Sequence, residues 1–252
     1  MKTVLITGVS RGIGAALSRA YLARGYQVCG IARVAPLAQP GLHFVTADLT
    51  DFDHVKDAVA DLHRQVGGQQ LDTLFLNAGT FGEPPARAER VDTHQFLDVI
   101  RINVAAVKAT LDACLNLGWR PRRAVASASV SGKRPRAGMV SYATSKAALN
   151  ALIKIYQLEN PDIEFLPLGL CNVGTDAYST MTSGVGADLS ELHALKQRAS
   201  TPGYVVTADE RARAIIDVLE VAPSLNLTWG EFYEIRELLP RLSEIYNQQR
   251  ES

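Results

Sequence analysis

The chain has 252 residues, of which 47% are hydrophobic and 21% charged, and this composition excludes a disulfide-held peptide and a disordered or low-complexity chain. Its 26 basic and 26 acidic residues cancel at neutral pH, so no net charge draws the chain to nucleic acid or to an anionic membrane. We therefore expect a small molecule as partner, with no nucleic acid and no membrane.

The cysteines and histidines are scattered along the chain. Cys29, Cys114 and Cys171 are odd in number and widely spaced, which is typical of a reducing compartment, and we expect the cytoplasm. The five histidines show no zinc-ligand spacing, so we expect no metal. An apolar strand follows directly after Lys2, and no apolar run approaches the roughly 18 residues that span a bilayer, so we expect neither a signal segment nor a membrane span.

Short apolar runs alternate with stretches of helical periodicity, which is typical of βα units around a parallel sheet. The predicted strands are Thr3–Thr7, Gln27–Ala32, His43–Thr46, Thr73–Leu76, Arg123–Ala126 and Ile163–Leu168, with a short closing strand near Trp229–Tyr233. The predicted helices are Ile13–Arg24, Asp53–Val66, Asp92–Leu117, Ser141–Glu159 and Ala208–Leu219. No repeat or linker divides the chain, so we predict one doubly wound α/β domain of Rossmann type over residues 1–252, with a mostly parallel seven-stranded sheet flanked by helices.

Two stretches interrupt this alternation. Gly79–Arg90 is a loop containing glycine and proline, and Asn172–Val206 is a long segment rich in Thr, Ser and Gly. Loops of this length in a compact domain are more often functional than idle, so we predict a substrate lid at 172–206. Residues 235–252 are expected to form an amphipathic or frayed tail.

A glycine-rich turn, Thr7-Gly8-Val9-Ser10-Arg11-Gly12-Ile13-Gly14, follows the first strand and opens the first helix. Glycines let the backbone turn sharply and approach a pyrophosphate, whose charge meets the free N–H groups at the start of the helix. Glycines also serve tight strand-to-helix packing, but a strand before the turn and a helix after it favour a dinucleotide site.

Tyr142 and Lys146 are four residues apart on a predicted helix and therefore lie on one face of it. An ammonium near the phenol is expected to lower the tyrosine pKa from about 10 toward the working pH. A hydroxyl that polarises a substrate carbonyl would complete such a site. Ser127, Ser129 and Ser131 alternate at strand period, so their spacing does not choose among them.

These motifs resemble the short-chain dehydrogenase/reductase family over roughly residues 1–235. The glycine pattern TGxxxGIG, the Asn77-Ala78-Gly79 tripeptide, Asp48-Leu49 and the Tyr142-x-x-x-Lys146 pair followed by two alanines carry the resemblance. It implies an oxidoreductase whose cofactor is bound by Gly8, Ser10, Arg11, Gly12, Ile13, Gly14, Arg33, Asp48, Leu49, Asn77, Ala78, Gly79, Tyr142, Lys146, Val173 and Thr175.

The resemblance also implies the remaining catalytic residues. The family serine usually lies thirteen residues before the tyrosine and three before a glycine, which selects Ser129, with Gly132 in place. Asn103 matches the helix asparagine whose local distortion holds a water in a proton relay; a plain helix polar residue is the alternative. The expected catalytic set is Asn103, Ser129, Tyr142 and Lys146.

The residues after the second strand bear on the choice of cofactor. A dehydrogenase that prefers NAD is expected to carry an Asp there for the ribose 2′-hydroxyl, whereas this chain has Arg33. Arg33 and Arg11 offer charge-assisted hydrogen bonds to a 2′-phosphate, although either is also acceptable as a solvated surface arginine. We therefore predict NADP(H).

The chain departs from the family pattern after the sixth strand. The usual Pro-Gly-x-Val-x-Thr is replaced by a segment in which Leu170 and Cys171 stand at the Pro-Gly position, ahead of Val173 and Thr175. Cys171 is expected either to face the substrate, as we predict, or to act as a small buried hydrophobe.

Features of the second half resemble the subgroup of sepiapterin and benzil reductases. They are Gln157–Ile163, Thr175-Asp176, Thr182-Ser183 and Gly230–Glu234. The resemblance places Glu231 where a carboxylate anchors the substrate through two N–H bonds, with an exposed glutamate at a strand end as the alternative.

The sequence therefore predicts an enzyme that reduces a ketone or vicinal dicarbonyl of a small molecule with NADPH. The alternatives are an NAD(P)-dependent oxidation of a secondary alcohol and a catalytically silent protein that senses NADP(H). The resemblance further implies a homodimer or homotetramer built on Asp92–Leu117 and Ser141–Glu159.

Overall fold

The computed structural model describes residues 2–185 and 188–251, so Gly186 and Ala187 of the predicted lid and Ser252 of the predicted tail lie outside the described residues. Within them, seven strands form one all-parallel sheet in the order β3-β2-β1-β4-β5-β6-β7. The strands are β1 Thr3–Thr7, β2 Gln27–Ala32, β3 Leu42–Thr46, β4 Leu71–Leu76, β5 Arg123–Ala128, β6 Glu164–Gly169 and β7 Tyr233–Glu234. The predicted fold class is confirmed.

The chain reverses its direction of strand addition between β1 and β4, which are neighbours in the sheet. The first three strands are added on one side of this point and the later ones on the other. In open α/β sheets of this kind, ligands bind in the crevice beyond the carboxyl ends of the strands at such a switch point. The topology therefore places a site at the ends of β1 and β4.

Helices cover both faces of the sheet. Their bounds are α1 Gly12–Ala23, α2 Phe52–Gln65, α3 Thr93–Ile100, α4 Ala106–Asn116, α5 Val140–Glu159, α6 Asp176–Thr182, α7 Ser190–Arg198, α8 Ala208–Glu220 and α9 Ile235–Glu251. Side chains cap several of them: Asp51 accepts from the backbone N–H of His54, and Thr207 and Glu210 form a reciprocal capping box at the start of α8.

The two faces of the sheet bury separate apolar cores. Residues such as Leu111 of α4 and Leu149 of α5 pack with α2 on one face, whereas Leu17 of α1, Ile215 of α8 and Leu238 of α9 pack on the other. Central strands buried on both faces explain why β1 and β2 are continuous apolar runs without polar alternation.

The predicted helix Asp92–Leu117 is interrupted. Residues Arg101–Ala105 form a π-helical turn between α3 and α4. A single π turn adds one residue to the helix and is frequent at functional sites. The apolar periodicity continues through it, which is why the sequence predicted one uninterrupted helix.

The prediction of a strand at Trp229–Tyr233 is wrong for most of its length. Gly230 has φ +83° and donates its N–H to Phe165 O at 2.7 Å, so the chain turns there and pairs with β6 only at Tyr233–Glu234. The predicted tail is the amphipathic helix α9, in which Ile235, Leu238 and Leu242 are buried.

The predicted loop 172–206 contains the helices α6 and α7 in its described part. Leu189 and Leu192 of this segment pack with Phe81 and Met139 in a third, smaller apolar cluster. Among the described residues, no helix is long and apolar enough to cross a membrane, and no group of three side chains is arranged to hold a metal ion.

Candidate active site

The glycine turn between β1 and α1 lies at the switch point and leaves no room for side chains. A Cβ on Gly14 would lie 2.2 Å from Gly8 O and 2.7 Å from Asn77 Nδ2. Gly8 has φ +73°, a conformation that glycine adopts without strain. The backbone of the turn is therefore packed directly against the end of β4.

A hydrogen-bond network fixes this turn to the end of β4. Thr7 Oγ1 accepts from the N–H groups of Asn77 (3.0 Å) and Ala78 (3.1 Å), and Asn77 Nδ2 donates to Thr7 O at 3.1 Å. The start of α1 has no side-chain cap and no acidic residue in its first turn. Its first N–H groups are thus open to an anion, and the cradle fits the pyrophosphate of a dinucleotide.

The groups predicted to contact the adenosine half lie at the ends of β2 and β3. Arg33 is exposed just beyond β2, where no carboxylate stands, and Leu49 is buried. Asp48 accepts from Thr50 N at 2.9 Å and Thr50 Oγ1 at 2.8 Å, and these bonds, together with the positive charge of Arg33, lower the pKa of its carboxyl.

Arg11, which was predicted to contact the cofactor, forms an ion pair with a carboxylate in this structure. Its Nη1 lies 2.6 Å from Asp176 Oδ2 at the start of α6, and both side chains are exposed. Thr175 approaches the same turn, since its Cγ2 lies 3.4 Å from a Cβ placed on Gly12. The glycine turn therefore meets the beginning of the predicted lid, and Val173 is held there by its bridge to Val206.

Tyr142 and Lys146 lie in the first two turns of α5, on one face as their spacing predicts. Lys146 is buried; its Nζ donates to Ser127 O at 2.7 Å and lies 5.5 Å from the centre of the Tyr142 ring. Gly132 lets the turn after β5 pack on this helix, because a Cβ there would be 2.6 Å from Lys146 C.

The three serines after β5 have different surroundings. Ser127 Oγ lies 3.5 Å from Asn77 Oδ1, and Ser131 is buried in the short 3₁₀ turn that follows. The Ser129 hydroxyl forms a hydrogen bond with the Tyr142 side chain. Its oxygen also accepts from the backbone N–H of Ser131 at 3.2 Å. Because its oxygen accepts from the backbone, its own O–H can be donated to Tyr142 or to a substrate oxygen.

The net shift of the Tyr142 pKa in this structure is upward, opposite to the expected one. Burial raises the pKa of Tyr142, and the hydrogen bond with Ser129 lowers it only in part. Burial also lowers the pKa of Lys146 to about 8. Desolvation disfavours the charged form of each group, so the phenol stays protonated at neutral pH.

Asn103 lies inside the π-helical turn and is 1% exposed. Its Oδ1 accepts from Thr80 N at 2.9 Å, and its Nδ2 donates to Thr80 O at 2.9 Å and to Ser145 Oγ at 3.0 Å. Ser145 Oγ in turn donates to Tyr142 O at 2.7 Å. Asn103 therefore connects the end of β4 with the helix that carries Tyr142 and Lys146.

Cys171 occupies the position of the missing family glycine and has φ +60°. The left-handed turn is thus present although the Pro-Gly is not, at a cost of about 1–2 kcal/mol for a non-glycine residue. The Cys171 thiol donates to Glu234 Oε1 at 3.2 Å, and burial beside this carboxylate raises the thiol pKa to about 11. The thiol is therefore engaged by Glu234.

The structure does not bring Glu231 to the site, which contradicts its predicted contact with substrate. Its Oε1 pairs with Lys154 Nζ at 2.5 Å on the exposed side of α5. Lys154 lies twelve residues beyond Tyr142, about 18 Å along the helix axis. The turn at Gly230, which the sequence pattern did not reveal, directs Glu231 outward.

Sequence reasoning missed the apolar wall beside Tyr142. The Phe81 ring lies 5.0 Å from the Tyr142 ring with an interplanar angle of 31°, and Met139, Leu189 and Leu192 pack around them. A second missed group is Glu83, which accepts from Ser141 Oγ at 2.6 Å and fastens the loop to the start of α5. The one signal in the sequence for the apolar wall was that Phe81 lies within the predicted loop Gly79–Arg90.

Comparisons with known proteins agree with this geometry. The profile of a family described as short chain dehydrogenase matches residues 2–165. A solved structure of an alcohol dehydrogenase from the archaeon Thermococcus sibiricus, complexed with 5-hydroxy-NADP, superposes with a TM-score of 0.72 at 26% identity, covering 93% of this chain and 95% of that one.

Several characterised relatives align as well. The cyclic-di-GMP-binding biofilm dispersal mediator protein of Escherichia coli (strain K12) is 38% identical over 61% of this chain and 64% of its own length. The NADPH-dependent 3-dehydrocapnine reductase of Ornithobacterium rhinotracheale is 30% identical over 60% and 58%. The chain thus spans less than two thirds of these two relatives. Benzil reductase ((S)-benzoin forming) of Bacillus cereus is 25% identical over 87% of this chain and 94% of that protein.

Proposed function

The chain belongs to the short chain dehydrogenase family of oxidoreductases, and from this premise we propose that it reduces a ketone or vicinal dicarbonyl of a small molecule with NADPH. The observation that carries the proposal is the arrangement of Ser129, Tyr142 and Lys146 beside the glycine cradle. A protonated phenol next to a free hydroxyl donor is the arrangement that a carbonyl oxygen needs when it gains a proton.

Each of these side chains has a defined part in the proposed reaction. NADPH, when bound, supplies the hydride for the carbonyl carbon. Ser129 donates its O–H to the carbonyl oxygen and orients it. Tyr142 then gives its phenolic proton to the same oxygen, so that the alcohol O–H forms as the tyrosine O–H breaks. The Lys146 ammonium, 5.5 Å from the ring, stabilises the tyrosinate left behind.

The proton must afterwards return to Tyr142. A Cβ placed on Gly79 lies 2.9 Å from Asn103 Oδ1 and 3.7 Å from Lys146 Nζ, so both polar groups flank this glycine. We propose that Asn103, held rigid by Thr80 and Ser145, positions a water that passes a proton to Lys146. The π-helical turn at Asn103 supports this role, because such turns are frequent at functional sites.

The preference for NADPH over NADH is proposed from Arg33. It stands exposed beyond β2 without a carboxylate that would repel a 2′-phosphate. The 5-hydroxy-NADP complex of the Thermococcus sibiricus enzyme and the NADPH dependence in the name of the Ornithobacterium relative support it. Arg11 would have to leave Asp176 before it could add a second contact.

The test is NADPH oxidation by the purified protein with benzil, aliphatic diketones and monoketones, and with NADH in parallel. Tyr142→Phe should lower kcat by about 10²–10⁴-fold while NADPH binding is retained. Tyr246→Phe on α9 is the matched control and should retain full activity. Wild-type rates in Tyr142→Phe would refute the assignment, and NADPH binding without any turnover would favour a sensing protein.

Arg33→Gln tests the choice of cofactor separately. A charge-assisted hydrogen bond contributes about 1.5–3 kcal/mol, so the ratio of NADPH to NADH efficiency should fall at least tenfold. An unchanged ratio would remove Arg33 as the phosphate contact without affecting the assignment of Tyr142.

We further propose that residues 1–252 act as one dinucleotide-binding and catalytic domain in the cytoplasm, where the three free thiols would stay reduced. The outer face of α5 exposes Leu158 (74%) and Ile155 (50%) beside α4, which supports assembly of two or four copies through these helices. Sedimentation of wild type and Leu158→Asp tests this; a monomeric wild type would refute it.

A further inference from the structure

Arg211 occupies a position in α8 that the helix pattern assigns to an apolar residue. It is 5% exposed, and it shares the buried face of α8 with Ile215, one turn further on. Its Nε is buried without a hydrogen-bond partner, and it forms no ion pair with any carboxylate in the described part of the chain. A buried charge without a partner is destabilising, and an anion bound beside the guanidinium would remove this cost.

Burial lowers the pKa of Arg211, and Arg236 and Glu234 lie near enough to shift it further in opposite directions. Arg236 donates to Glu234 Oε1 at 2.7 Å, and Arg134 Nη2 lies 3.9 Å from Glu234 Oε2. Cys171 also donates to Glu234 Oε1, so this carboxylate is already shared. We call Arg134, Arg211 and Arg236 the arginine cluster. The carboxylates near it are already engaged elsewhere: Glu234 by Arg236 and Cys171, Glu237 by the backbone N–H of Glu234 at 3.3 Å, and Glu210 by the capping box with Thr207.

The register of the sheet places the cluster close to the reaction centre. Ala128, directly before Ser129, pairs with Gly169, and Gly169 pairs with Glu234. Glu234 is therefore two strand spacings, about 10 Å, from the backbone that carries Ser129. Arg134 reaches the same point from the segment that begins at Ser129, five residues further along the chain.

The chain segment beside the cluster is also positive. The segment after Ser129 contains Lys133, Arg134 and Arg136, and no Asp or Glu occurs between residues 121 and 158. Lys133 and Arg134 are exposed. A surface that carries charges of one sign attracts ligands of the opposite sign.

We propose that the arginine cluster binds the anionic group of the substrate, so that this enzyme acts on carbonyl compounds that carry a carboxylate or phosphate several bonds away from the ketone. The inference rests on the proposed reduction and adds its substrate class. Arg211 supplies the unpartnered N–H groups, and Arg134 and Arg236 close the site toward solvent. The bound anion compensates the buried charge of Arg211.

The experiment compares 7-oxooctanoate, in which five methylenes separate the ketone from the carboxylate, with its neutral methyl ester and with 6-oxoheptyl phosphate. For 7-oxooctanoate or for 6-oxoheptyl phosphate, the wild type should have a kcat/KM at least tenfold higher than for the ester. The difference should come from a lower KM for the anion. The better of the two anions identifies carboxylate or phosphate as the preferred group.

Arg211→Leu restores the apolar face of α8 and should abolish this preference while kcat/KM for the ester stays within twofold of wild type. Arg213→Gln, on the exposed face of the same helix, is the matched control and should keep the preference. If Arg211→Leu does not fold, Arg236→Gln replaces it as the test variant, because Arg236 is exposed, and it should also weaken the preference. Equal kcat/KM for anion and ester in the wild type, or an unchanged preference in the folded variants, would overturn the proposal.

A binding measurement separates failure of the cluster from failure of the reduction. If the wild type reduces none of the three ketones, the proposed function fails, and the anion site is judged by thermal unfolding with saturating NADP⁺ present. A Tm rise with 7-oxooctanoate or 6-oxoheptyl phosphate in wild type and in Arg213→Gln, absent in Arg211→Leu, supports the site. No rise in the wild type overturns it.

Discussion

Gly14→Ala tests the idea that the turn between β1 and α1 is a rigid cradle. The added Cβ would lie 2.2 Å from Gly8 O and 2.7 Å from Asn77 Nδ2, well inside ordinary contact. Both atoms belong to the network that joins this turn to β4, so neither can rotate away freely. The start of α1 must move by about 1 Å instead, and overpacking of this kind costs about 1–3 kcal/mol.

Two measurements check this prediction. The midpoint of urea unfolding should fall by an amount that corresponds to 1–3 kcal/mol, and the NADPH Kd from fluorescence titration should rise by about tenfold or more, because displaced N–H groups no longer meet the pyrophosphate. Gly174→Ala is the control for stability, since its Cβ would meet nothing nearer than 3.9 Å. A Gly14→Ala protein with wild-type midpoint and Kd would refute the cradle.

Three further predictions follow from other contacts. Because the pKa of Lys146 is about 8 and the ammonium must be present to stabilise the tyrosinate, kcat/KM for ketone reduction should fall tenfold per pH unit above about pH 8; a flat profile to pH 10 would contradict the role. Thr207→Ala removes the capping box with Glu210 and should lower the free energy of unfolding by about 1 kcal/mol in denaturant titrations, whereas an unchanged midpoint would show that the box is not stabilising. Asp92→Ala should cost a similar 1 kcal/mol, since Asp92 Oδ1 accepts from the N–H groups of His94 and Gln95 at the start of α3, and Asp92→Asn should retain most of it.

Local sequence was sufficient for the six longer strands and for the relative placement of Tyr142 and Lys146. The bounds of Thr3–Thr7 and Gln27–Ala32 were predicted as observed, because strands buried on both faces are unbroken apolar runs that end at turn residues. The helical period alone places Tyr142 and Lys146 on one face. The glycine spacing likewise indicated a turn without side chains, and a Cβ at Gly14 would indeed collide with backbone.

Some local signals were misleading because long-range contacts outweighed them. Trp229–Tyr233 has the composition of a strand, yet the bond from Gly230 N to Phe165 O turns the chain and sends Glu231 to Lys154. The helical pattern over Asp92–Leu117 does not reveal the π turn at Asn103, whose amide is fixed by Thr80, 23 residues away.

The sequence by itself determined the α/β class, the six longer strands, the glycine turn after β1 and the shared helix face of Tyr142 and Lys146, since each depends on residues close together in the chain. Only the tertiary structure decided how charges are partnered: Arg11 with Asp176, and Arg134 and Arg236 with Glu234. It also decided that burial keeps Tyr142 protonated and leaves Arg211 without a partner. Desolvation and ion pairing depend on which distant segments meet, and that information is absent from local spacing.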